Sequence, residues 1–335
     1  MNISKTKVIK LAAVFFIVFI ISTIYLWSII YTQKTVPTHD LLISSGSSSF
    51  TIALQLEHSG IITSARTFRW LARITGDDAA LKSGLYRFNG QLNMLDVLKI
   101  LKDGSLQQFK ITIPEGLRID EMLLLLAKAT EVPLPTWRHA LDQITHGDES
   151  EGMFLPETYI YSKPVNPYTI LKQMFDARAN IEATLRKEMG WSAAQIERNR
   201  TIASIVEKET ALPHERVWVS AVIHNRIRLG MRLQMDPTVI YGLYRSQGSF
   251  SGNLRRKDLK TDSPWNTYTR RGLPISPICN PGENSLRAAA YPANVEYLYF
   301  VANGTGGHAF ASTLKEHNEN VKKWIKIERK ANHPS

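Results

Sequence analysis

From Leu11 to Tyr31 the chain reads LAAVFFIVFIISTIYLWSIIY, 21 residues with no charge among them. As an α-helix rising about 1.5 Å per residue, such a run covers roughly 30 Å, the hydrocarbon thickness of a bilayer. A cleaved signal peptide would have a shorter apolar region and a small-x-small cleavage site. Here the run leads into TQKTVPTHD, which contains none. Lys5, Lys7 and Lys10 precede it, so the positive-inside rule puts the short N-terminal tail in the cytoplasm. Everything after about residue 33 then lies outside, in the periplasm of a Gram-negative cell. The segment predicts a single-pass anchor in the inner membrane over residues 11–31.

The formal net charge is +11; Lys5, Lys7, Lys10 and Lys34 flank the apolar run, which leaves +7 on the remainder. An excess of that sign suits a surface facing an anionic polymer or anionic lipid. Nucleic acid is not expected, because no basic run is interleaved with aromatics and no groove-reading motif is present. Cys279 is the only cysteine, which excludes an intramolecular disulfide and a thiolate metal cluster. Its flanks, ISPICNPG, predict a proline-rich loop in which the thiol is a small buried filler.

Periodicity predicts an α+β protein of two parts after the anchor. Residues 1–10 read as a cytoplasmic tail, 32–43 as a polar linker around Pro37, and 44–110 as a small module. Within the module, Ile52 and Leu56, then Phe68, Leu71 and Ala72, recur at helical spacing and predict two short helices broken at Gly60. A strand around Leu85 to Phe88 follows, then a helix from Met94 to Leu101 stopped by Gly104. Residues 111–325 read as a larger α+β domain, and 326–335 as a C-terminal tail. The alternation of Phe109 to Ile113 predicts a strand, Tyr168 to Met189 a long helix, and Ser192 with Gln195 a capping box opening the next.

That next helix carries TIASIVEKET. With about 100° per residue and Ile202 at zero, Ile205 falls near 300°, Val206 near 40° and Glu209 near 340°. Glu209 therefore lies inside the apolar stripe, whereas Glu207 near 140° and Lys208 near 240° face outward. Burial disfavours an ionised carboxylate and raises its pKa, and an acid kept protonated near neutrality is what proton donation needs. The following helix, opened after Pro213 and closed by Gly230, places Asn225 on the face of Trp218, Ala221, Val222 and Leu229. Gln234, Asp236, Thr238 and Tyr241 gather around Pro237, and Asn266 and Tyr268 follow. Amides, hydroxyls and aromatic rings of this kind suit a carbohydrate. There is no G-x-S-x-G elbow, P-loop, G-x-G-x-x-G turn or H-E-x-x-H helix. His308 and His317, nine residues apart near the C-terminus, read as hydrogen-bonded structural residues, so no metal and no cofactor is expected.

ASIVEKET, NRIRLGMRLQMDPTVIYG, SPWNTY followed by GLP, NPG, and GGHAF with EHN resemble, in that order, the endolytic murein transglycosylase (YceG-like) family. The loop EGMFLPETY is similar too, with Glu157 where the family often has Asp; Ile275 and Ser276 stand where many members have Pro-Gly. The resemblance implies that residues 44–110 are LysM-like and glycan-binding. It implies a catalytic domain that cuts peptidoglycan strands between N-acetylmuramic acid and N-acetylglucosamine, leaving 1,6-anhydro ends, near the penicillin-binding synthases. It places the family's catalytic glutamate on Glu209. Two other readings stay open: a membrane-tethered glycan-binding scaffold, and a hydrolytic muramidase with Glu151, Glu157 or Asp236 as second acid.

Overall fold

The apolar N-terminal run forms one helix, α1 (Lys5–Tyr31), in a computed structural model that describes residues 5–44, 46–104, 107–250 and 252–332. Its segment Ala13–Tyr31, of mean hydropathy 2.5, is long and apolar enough to cross a membrane. Beyond it the chain divides into two compact units, residues 1–110 with 160–166, and residues 111–159 with 167–335.

In the first unit, residues 34–43, expected as a linker, are instead a strand, β1 (Lys34–Ile43). It pairs antiparallel with β2 (Gly84–Leu92), from Lys34 opposite Leu92 to Ile43 opposite Gly84. Pro37, which argued for a linker, falls at a register shift between Val36 and His39, where a missing N–H costs no ladder bond. Between the strands lie α2 (Ser49–His58) and α3 (Ala65–Ile74), capped by the hydroxyls of Ser48 and Ser64. After β2 comes α4 (Met94–Asp103), opened by an Asn93–Asp96 capping box and closed by left-handed Gly104. Ile43, Ala53, Leu56, Phe68, Tyr86, Phe88 and Leu101 make its core, and Leu26, Ile29 and Ile30 at the end of α1 pack against it.

The chain passes to the second unit along β3 (Gln108–Thr112) and back along β4 (Thr158–Ser162), which pair as a two-stranded sheet. Between them are α5 (Ile119–Thr130) and α6 (Leu134–Thr145); periodicity did not mark the second. Then come α7 (Pro167–Met189), α8 (Ala193–Glu209), α9 (Arg216–Arg228), α10 (Asp236–Gln247) and α11 (Glu283–Ala290). A hairpin of β5 (Tyr299–Ala302) and β6 (His308–Ala311) leads into α12 (Leu314–Asn332). Residues 326–332, expected as tail, extend this last helix; 333–335 lie outside the described residues.

α8 is the axis of this unit, contacting α7, α9, α10 and α11. Its capping box is the expected one, Ser192 with Gln195. Nine consecutive or near-consecutive residues, among them Asn199, Arg200, Thr201, Ser204, Ile205 and Val206, are buried on it. From Asn199 to Val206 every residue is buried, so this stretch of the helix has no outward face.

Candidate active site

Glu209 is the last residue of α8, where the helix emerges from its packing. The residue as a whole is half-buried, while its Oε1 is closed to solvent and has no hydrogen-bond partner. The carboxyl is thus desolvated on one oxygen with no donor to compensate it. Burial pushes its pKa up to about 8; the charge of Asp236 adds to the rise, and Arg226 opposes it. Near neutral pH the group therefore holds its proton.

Asp236 opens α10 and is exposed beside Glu209. The hydroxyl of Tyr268 donates to its Oδ1 at 2.5 Å, and burial with that bond raises the phenol's own pKa. Gln234, exposed two residues earlier, holds a left-handed backbone at φ 52 and donates its N–H to Thr267 O. A non-glycine residue in that region is strained, and such strain collects at functional loops. Glu209, Asp236 and Tyr268 thus act on one another, with Gln234 on the same loop.

The other expected binding residues are spent on groups of the protein itself. Asn225 donates to Val295 O and Tyr297 O and accepts from Arg228. Asn266 donates to Leu259 O and Thr261 O. Thr238 donates to Met235 O at 2.6 Å and shares a hydrogen bond with Thr267. The Tyr241 hydroxyl donates to Glu151 Oε2. These side chains shape the loops near Glu209 and have little capacity left for a ligand. Glu151, a candidate second acid, is fully buried and accepts also from Ile119 N and Asn280; burial raises it to about 8. Glu157, another candidate, is exposed. Of the three candidates, Asp236 is the one whose charge acts on Glu209.

Glu207 does not face outward. Its Oε2 accepts from Gly282 N at the start of α11 (2.9 Å), and Oε1 faces Arg216 Nη2 at 3.4 Å, itself paired with Glu115 at 2.9 Å. A Cβ on Gly282 would sit 1.9 Å from Glu115 Oε1, so a larger residue there would push the Glu115 side chain away from Arg216. Ser204 and Cys279 complete the brace: Ser204 Oγ accepts from Ile278 N, and the buried Cys279 thiol donates to Ser204 O. Replacing Glu207 by glutamine is expected to lower stability by about 1–3 kcal/mol, since it leaves Arg216 short of a buried partner. Urea unfolding of the two proteins would measure it, and an unchanged midpoint would contradict the brace.

Sequence periodicity missed two residues that brace the loops near Glu209. Arg226, buried on α9, donates to Leu233 O and Leu298 O and lies over the Tyr299 ring, tying together the loops on either side. Glu215, buried before α9, accepts from His308 N and from His308 Nδ1, each at 2.7 Å, and from Thr210, the residue after Glu209, at 2.9 Å. His308 is thus a hydrogen-bonded structural residue, and the EKET and GGHAF motifs are joined by one carboxylate. Ser276 accepts from Trp265 Nε1, whose ring packs edge-on against Tyr241, which gives the Ile275–Ser276 departure a structural use. Among the described residues, no group of three or more His, Cys, Asp or Glu could hold a metal ion.

A model of the YceG-like family matches residues 41–323. An endolytic murein transglycosylase of Bacillus subtilis is 30% identical over 311 residues, covering 86% of this chain and 85% of its own length. One from Streptococcus pneumoniae is 25% identical over 318 residues, 83% of this chain and 57% of its own length. A crystal structure of a yceG-like protein from Listeria monocytogenes superposes with a TM-score of 0.55 at 30% identity, over 85% of this chain and 99% of that one.

Proposed function

This chain belongs to the YceG-like family, and from that membership and the desolvated carboxyl of Glu209 we propose an endolytic murein transglycosylase whose proton donor is Glu209. The observation that carries the assignment is the closed-off, unpartnered Oε1 of a carboxyl whose pKa is raised to about 8. A glycan-binding scaffold gains nothing from a buried acid without a partner, which costs about 1–3 kcal/mol of desolvation.

The chemistry follows from one carboxyl group. Glu209 gives its proton to the glycosidic oxygen linking N-acetylmuramic acid C1 to N-acetylglucosamine O4, and the bonding pair leaves with that oxygen. The 6-hydroxyl of the same muramyl residue attacks C1 and returns its proton to the Glu209 carboxylate. The ring closes as a 1,6-anhydro end and no water is consumed. Most glycosidases need a second carboxylate to activate water or to attack C1. An intramolecular hydroxyl replaces it, because its effective concentration is very high. Asp236, held by Tyr268, supplies negative charge beside the developing oxocarbenium ion.

α1 anchors the chain in the inner membrane with both units outside, where strands emerge from the penicillin-binding synthases. The strand–helix–helix–strand core of the first unit supports its reading as a LysM-like glycan-binding module. Mass spectrometry of purified murein digested by the full-length protein in detergent tests the assignment. Products ending in 1,6-anhydro-N-acetylmuramic acid are expected. Reducing ends would instead assign a hydrolytic muramidase, and undigested murein a scaffold.

A further inference from the structure

The anchor is not tethered loosely to the first unit. Two residues, Thr32 and Gln33, separate α1 from β1, so the folded unit begins within about 10 Å of the end of the membrane helix. Ile30 on the last turn of α1 is 8% exposed, packed into the unit's core with Leu26 and Ile29, and α1 touches both α3 and α4. Trp27 and Tyr31 stack on the outer side of that turn at a centroid distance of 4.2 Å. Such a pair marks the level of the lipid headgroups. The unit is therefore held against the bilayer surface by side-chain packing.

α3, which α1 touches, presents an unusual face. Its sequence, ARTFRWLARI, has three arginines and no acid. Ala65, Phe68, Leu71 and Ala72 are buried inward. On the other side Arg66, Trp70, Arg73 and Ile74 are exposed, with Trp70 at 47% and Ile74 at 63%. Phe50 of α2 joins them at 42% exposed, with the Arg69 guanidinium over its ring at 5.2 Å. Arg69 Nε is shut off from solvent and has no acceptor. A surface turned to bulk water gains nothing from Trp, Phe and Ile side by side. Apolar side chains flanked by arginine alone suit the boundary between acyl chains and anionic headgroups.

The geometry points to a second membrane contact: Arg66, Arg69, Trp70, Arg73 and Ile74 of α3, with Phe50, seat the first unit on anionic lipid headgroups beside the anchor. The apolar side chains reach the acyl boundary, and the guanidiniums pair with lipid phosphates bidentately. Two points of attachment would fix the unit's orientation to the membrane, which a single helix free to rotate does not. This inference rests on α1 spanning the membrane and not on the assignment of Glu209.

The test is quenching of tryptophan fluorescence in the full-length protein reconstituted into vesicles with brominated acyl chains. The vesicles are phosphatidylethanolamine with about 30% phosphatidylglycerol, or phosphatidylcholine alone. Quenching removed by Trp27→Phe reports the anchor, and quenching removed by Trp70→Phe reports the proposed surface. The Trp70 share is expected in the anionic vesicles and should fall at least twofold in phosphatidylcholine and in the triple variant Arg66→Gln, Arg69→Gln, Arg73→Gln. A Trp27 share without a Trp70 share overturns the inference and leaves the anchor intact. A Trp70 share equal in both lipids also overturns it, as does one lost when soluble murein strands are added, which would make the face a glycan site. Absence of both shares overturns the anchor and the inference together.

Discussion

Glu209→Gln is expected to lower the rate of strand cleavage by at least about 1,000-fold, in the upper range of what a positioned proton donor contributes. The variant should remain folded and membrane-inserted, and release of anhydro-muropeptides from murein is the measurement. Wild-type rates in the variant would remove Glu209 from the mechanism. In the wild type, activity should decline as pH rises through about 8, where the donor loses its proton. The same substitution carries a stability signature. The folded-state pKa of Glu209 lies above its ordinary 4.5, so between about 4.5 and about 8 the folded chain keeps a proton that the unfolded chain has lost. The stabilisation from that proton is full at low pH and lost as pH rises through the folded value. Glutamine has nothing to lose. The variant's melting temperature relative to wild type should therefore climb from pH 5 to pH 9, by roughly 4–8 °C for about 2 kcal/mol. That energy is set well below a full conversion of the shift, because the residue keeps partial contact with solvent. An acid that costs stability and carries the reaction is the trade expected at an active site.

The largest loss of stability should come from Glu182 on α7. Its carboxylate accepts from Arg200 of α8 at 2.6 and 2.9 Å and from Arg178 Nη1, and all three side chains are at most 10% exposed. Arg178 also donates to Met153 O, which ties the EGMFLPETY loop to both helices. Glu182→Ala leaves two guanidiniums buried without a counter-charge, a loss of about 3–5 kcal/mol. Thermal unfolding should shift down by roughly 10 °C. The control is Glu283→Gln, which breaks an exposed pair with Arg287 on α11 and should cost under about 0.5 kcal/mol. Equal shifts for the two variants would show that burial adds nothing to the α7–α8 pair.

Features whose cause lies within a few residues were legible in the chain. The long apolar helix α1 needs only an unbroken apolar run. The Ser192 and Asn93 caps need only a partner three residues on, though the second became visible only in the structure. The inward position of Glu209 needs only the helical repeat, and the order of motifs from EKET to EHN was enough to point to the family.

Legibility failed where the outcome depends on what arrives from elsewhere. Glu207 was placed outward by the same angular argument, which assumes one buried face, and α8 is buried on every side from Asn199 to Val206, just before it. Residues 34–43 looked like a linker because their ladder partners are residues 84–92. Asn225, Asn266, Thr238 and Tyr241 have the chemistry of sugar ligands, but an amide or hydroxyl satisfied within the protein looks the same in sequence as one held open.

The sequence by itself determined the long apolar N-terminal helix, the α+β alternation, the family and the acid on the helix. Tertiary structure alone decided that Glu215 joins His308 to Thr210, that Arg226 clamps two loops, and that Asp236 is the carboxylate whose charge acts on Glu209. The physical reason is range. A helical repeat or a cap is settled within one or two turns, whereas a buried charge is settled by whichever donor or charge the fold brings within a few ångströms, however far away along the chain it lies.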